Sequence, residues 1–138
     1  MHTQDAGFTP QWLGGWKGMD GRVALLDGSC TLIYAELHDR AIDGVHALRE
    51  QGLLPGDRVA ILLENSWQYV ACYFAVLAAG GVVVPLNSAA RARDLVTWIP
   101  HVGASVVISE PDQAATAAIL GALPSVRAAK GLAARSNR

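Results

Sequence analysis

The sequence predicts an α/β fold, a parallel sheet layered with helices, and three observations predict it. Between Asp57 and Ser88 an apolar strand, an apolar helix and a second apolar strand follow one another, with a polar residue wherever a strand ends. In the first of these strands Val59, Ile61 and Leu63 alternate with Ala60 and Leu62, so both faces are apolar and each needs a helical cover. Gly80-Gly81 separates helix from strand and permits a close approach to the sheet.

The elements follow in order. Residues 1–20 hold Phe8, Trp12 and Trp16 among Gly14, Gly15 and Gly18, which reads as an irregular arm whose aromatics dock on a neighbouring surface, with ligand stacking as the alternative. Val23 to Leu26, Asp27-Gly28, and Cys30 to Ile33 form a short hairpin, because Asp-Gly tolerates the positive φ of a tight turn. Tyr34, Leu37, Ala41, Val45 and Leu48 recur at helical spacing and predict a helix to about Gln51, stopped by Gly52 and turned by Pro55-Gly56. Arg58 to Leu63 is a strand, and Asn65-Ser66 cap a helix from Trp67 to Ala79. That helix is apolar nearly all round, so it is expected to pack against more than one layer. A second parallel strand spans Gly81 to Leu86, and Asn87-Ser88 are read as the cap of a helix from about Ala89 to Ile99, buried through Leu95 and either Trp98 or Ile99. Pro100 and Gly103 are expected to end it. Ala104 to Ser109 is the third parallel strand, and an alanine-rich helix starting at Glu110-Pro111-Asp112 runs to about Leu123. The domain plan is therefore an arm over 1–20, an α/β unit over 21–126 and a basic, loose tail over 127–138.

Composition narrows the function classes. With 138 residues, 51% apolar and 17% charged, the chain buries a real core and carries a sparsely charged surface, as if more protein were meant to cover part of it. A net charge of −1 gives no reason to expect nucleic acid as a partner, although the tail holds four basic residues and no acid. Tyr69 to Leu86 is uncharged over the length of a membrane span, but Gly80-Gly81 and the β-branched run before Pro85 divide it into helix and strand. The opening residues M-H-T-Q-D-A-G-F show no positive apolar leader, so a cytoplasmic location is the default expectation.

Candidate chemistry is sparse. Cys30 and Cys72 make no metal-ligand spacing, and Cys72 reads as a buried thiol. His38 and His46 share a helix without a third ligand, and Asp39 and Asp43 form a lone acidic pair. Neither group is assigned a metal. Parallel sheets bind ligands beyond the carboxyl ends of their strands, which points to Glu64, Asn65, Ser66, Asn87, Ser88, Ser109 and Glu110. The competing role for Asn65, Ser66, Asn87 and Ser88 is helix capping alone. The sequence contains no glycine-rich phosphate motif and no G-x-S-x-G, and its only lysines are Lys17 and Lys130. No catalytic, cofactor-binding or metal residue is assigned.

The ordered segments resemble the N-terminal portion of the adenylate-forming (AMP-binding) enzymes of the acyl-CoA synthetase and acid-ligase type. The matching pieces are T-L-I-Y-A-E-L from Thr31, then Leu48 to Ile61 with its P-G-D-R-V-A-I, then Asn65-Ser66, A-G-G-V-V-V-P-L-N ending at Asn87, Asp94-Leu95 and Gly103-Ala104. The resemblance implies a partial N-terminal domain of an ATP-dependent ligase that converts a carboxylate to an acyl-adenylate and then to a thioester, often with coenzyme A, as in fatty-acid activation. It implies ATP, Mg2+ and coenzyme A for the complete enzyme, and no cofactor for these residues alone. The family's phosphate loop, its later nucleotide-binding residues and its C-terminal domain have no counterpart among these 138 residues, so no family catalytic residue maps onto a position here. Three readings stay open: a ligase fragment inactive by itself, a binding module that reuses the scaffold or complements a separate chain carrying the remainder, and a free-standing enzyme. The acyl substrate and the oligomeric state are not readable from the residues.

Overall fold

A computed structural model describes residues 11–110 and 114–129. Helix α1 (Gln11–Gly14) and a 3-10 turn (Gly15–Met19) lead to the hairpin β1 (Val23–Asp27) and β2 (Cys30–Ile33). There follow α2 (Tyr34–Glu50), β3 (Arg58–Leu62), α3 (Trp67–Ala78), β4 (Val82–Pro85), α4 (Ala92–Val102), β5 (Ala104–Ser109), α5 (Ala114–Ala122) and β6 (Arg127–Ala128). The hairpin is antiparallel, and the other four strands form a parallel sheet in the order β4-β3-β5-β6.

The two apolar faces of β3 behave as their alternation requires. Val59, Ile61 and Leu63 enter one core with Val106 and Ile108 of β5, Val45 and Leu48 of α2, and Cys72, Ala75 and Val76 of α3. Ala60 and Leu62 enter a second core with Val107, Leu95 and Ile99 of α4, and Ile119 of α5. The chain moves from β3 out to β4, then back across β3 to β5 and on to β6. Crossovers of one hand change face when they change direction, and α3 lies on the opposite face from α4 and α5 accordingly.

Helix ends are set by identifiable groups. Glu36 accepts a hydrogen bond from the Ile33 N–H at 3.0 Å, so the return arm of a capping box opens α2, while the isoleucine side chain has no acceptor for the other arm. At the end of α3, Gly81 N–H donates to Val76 at 2.9 Å and Gly80 N–H to Leu77 at 3.1 Å, with Gly80 at φ +86°. Gly81 is the close approach: a Cβ there would lie 3.0 Å from Val76 and 3.2 Å from the Asp57 carbonyl. Two arginines reach helix C-termini, Arg58 donating to the Val102 carbonyl at 3.0 Å and Arg127 to the Gln51 carbonyl.

Three expectations are corrected. The arm is regular over Gln11–Met19 and docks on its own chain: Leu13 is fully buried, and Trp16 meets Tyr34 and Phe74 edge-on at 5.7 and 5.1 Å. Residues 1–10, with Phe8, lie outside the described residues. The fourth helix begins at Ala92 rather than Ala89 and continues through Pro100 to Val102, ending at Gly103 with φ +69°. Ile99, not Trp98, is its buried residue, and anchoring Ile99 in the second core outweighs the hydrogen bond that Pro100 withholds. Arg127, placed by sequence at the start of a loose tail, pairs in β6 with Val106, because Val126 and Ala129 on either side are buried. Residues 130–138 lie outside the described residues. As expected, α3 packs against more than one layer, meeting α2, β3, β4, the hairpin and Trp16, while Tyr73 and Leu77 stay exposed.

Because β3 is covered on both sides, Ile61→Ala and Leu62→Ala are each expected to lower the unfolding free energy by about 2–5 kcal/mol. Urea denaturation checks this; a strand with one wet face loses stability for only one of the two.

Candidate functional site

The register brings the ends of three strands to one level. Ile61 of β3 stands opposite Pro85 of β4 and Ile108 of β5, and Leu62 opposite Ser109. The loops beyond, Leu63–Ser66, Leu86–Arg91 and Glu110 onward, therefore emerge together at the carboxyl edge. From β3 the chain turns to α3 on one face, and from its neighbours β4 and β5 toward the other. This is the switch in direction at which such sheets hold ligands, and all seven residues expected from sequence lie along it.

Their side chains are largely committed to the fold. Ser66 Oγ accepts from the Tyr69 N–H at 3.2 Å and donates to the Glu64 carbonyl at 3.0 Å. A second group, invisible as a functional residue in sequence, completes the start of α3: the Asp27 carboxylate accepts from the Trp67 N–H at 2.9 Å across 40 residues. Arg40 of α2 lies over the Trp67 ring at 5.2 Å. The first-turn amides that would receive an anion at a helix N-terminus are thus partly filled by a carboxylate and a hydroxyl of the chain itself. Asn87 is corrected from helix cap to turn residue: its Oδ1 accepts from Ala89 N–H at 2.9 Å, and α4 starts only after Arg91. Ser88 and Ser109 are half-buried and Asn65 is exposed.

Electrostatics does not favour a polyphosphate here. Glu64 and Glu110 are exposed carboxylates on this edge, opposed by exposed Arg91 and Arg93 at the start of α4. Burial first, and then the charge of Glu110, push the Cys72 thiol from 9.0 up to about 12. Burial, aided by neighbouring Tyr73, also raises Tyr69. Among the described residues no three His, Cys, Asp or Glu side chains come together as a metal site. His38 meets only its neighbour Asp39, at 3.3 Å and exposed. With the α3 amides partly filled internally and no lysine or glycine-rich loop among the described residues at the edge to hold phosphates, these residues do not by themselves fit ATP, and no step is derived through it.

What the sheet does display is a family signature in three dimensions, P-G-D-R-V-A-I entering β3 and A-G-G-V-V-V-P-L-N carrying α3 into β4. The family model described as AMP-binding enzyme matches residues 16–135. The chain belongs to this family. Feruloyl-CoA synthase from an Amycolatopsis species is 39% identical over 117 residues, covering 81% of this chain and 24% of the relative. A CoA ligase from Rhodococcus jostii, specific by its name for a methyl-dioxo-octahydroindenyl propanoate, is 36% identical over 66 residues, covering 48% of this chain and 13% of its own. Among solved structures, benzoate CoA ligase from Burkholderia xenovorans superposes with a TM-score of 0.71 at 26% identity, covering 84% of this chain and 23% of its own. VinN bound to L-aspartate gives 0.75 at 26%, covering 84% and 30%. The chain spans about a quarter of the length of the feruloyl-CoA synthases it matches. Fold class and family membership are as the residues implied, and no helix among the described residues is long and apolar enough to cross a membrane.

Native protein at pH 8 is expected to give one thiol equivalent with a disulfide reagent, from part-exposed Cys30, and two after denaturation. The raised Cys72 value means that its favourable burial is complete below the ordinary thiol value and is lost as pH rises toward 12, so stability falls across that alkaline window. Asp27→Ala is expected to lower stability by about 0.5–2 kcal/mol, with Asp27→Asn losing less, measured by urea unfolding.

Proposed function

We propose that this chain is an N-terminal segment of an ATP-dependent acyl-activating ligase. In that reading it builds part of the scaffold on which a carboxylate attacks the α-phosphate of ATP, giving an acyl-adenylate and pyrophosphate, before a thiol, in the thioester-forming members coenzyme A, displaces AMP. The observation that carries the reading is the family match over residues 16–135, joined to the fact that this length accounts for only a quarter of the relatives. The groups that would neutralise phosphate charge, required because charge builds on the transferring oxygens, reside on polypeptide outside these 138 residues. Support for an inert segment comes from the carboxyl edge, where Ser66, Asp27 and Asn87 serve the backbone. Feruloyl, benzoyl and related acids are named for the relatives, and the acid pocket for this protein is assigned to residues beyond this segment.

ATP–pyrophosphate exchange with a panel of aromatic, aliphatic and amino acids tests the proposal. The purified chain is expected to show no exchange above the protein-free control with any acid, and exchange that depends on one acid and on Mg2+ overturns the inert reading.

A further inference from the structure

We draw no further inference here: the strongest candidate, the exposed outer face of α3 with Tyr73 and Leu77 and no charged side chain, carries nothing because nothing in the structure shows what covers it.

Discussion

Strand β3 is the constraint on which the rest of the structure depends. It is the one strand hydrogen-bonded to a partner on each side that also comes before both partners in the chain, and Val59 through Leu62 are all fully buried. A strand buried on both faces and both edges cannot slip by one residue without driving large side chains into the opposite core. Its register then sets β4 and β5, the two cores set which helix lies on which face, and the sheet's carboxyl edge follows. The close contact at Gly81 belongs to the same constraint, since the Asp57 carbonyl that opens the β3–β4 ladder is one of the atoms a side chain there would meet.

Much of this was legible in the residues, and the reason is physical. Two-faced apolarity at Val59–Leu63 is a local property that only a layered parallel sheet satisfies, and the Gly80-Gly81 stop depends on residues adjacent in sequence. The hairpin, α2 and β5 were readable for the same reason. What escaped depends on partners distant in the chain. Asp27 looked like half of an Asp-Gly turn, and nothing local shows that its carboxylate meets the Trp67 amide. Arg127 looked like the beginning of a basic tail because a two-residue edge strand has no periodicity to detect, whereas its neighbours Val126 and Ala129 are held by the core. Pro100 was read as a stop from its local rule, and the buried anchor at Ile99 overrode that rule. Asn87 fitted both a cap and a turn, and only the placement of α4 separates the two.

These distant contacts share a function within the fold. The hairpin lies outside the main sheet, yet its Asp27 holds the start of α3, and the 3-10 turn before it is tied in through Trp16 against Tyr34 and Phe74. The start of α3 is thus the junction of hairpin, α2 and β3, fixed by a carboxylate, a hydroxyl and a guanidinium stacked on an indole. At the other end of the sheet, Arg58 and Arg127 place cations against the C-termini of α4 and α2, one on each face. Of the polar side chains that the sequence points toward a ligand, Ser66 is spent on the start of α3 and Asn87 on a turn.

That allocation bears on how the work of an acyl-activating enzyme divides along its chain. A reacting centre needs polar groups left unsatisfied by the protein and aimed at the substrate, and such groups destabilise the domain that carries them. This segment carries few: Ser66, Asp27 and Asn87 are paired with backbone amides, and the cysteine nearest the edge is held protonated by burial. Its exposed helical surface is instead apolar at Tyr73 and Leu77 of α3, a helix that carries no charged residue. Water penalises exposed apolar area and rewards its burial whatever chemistry covers it.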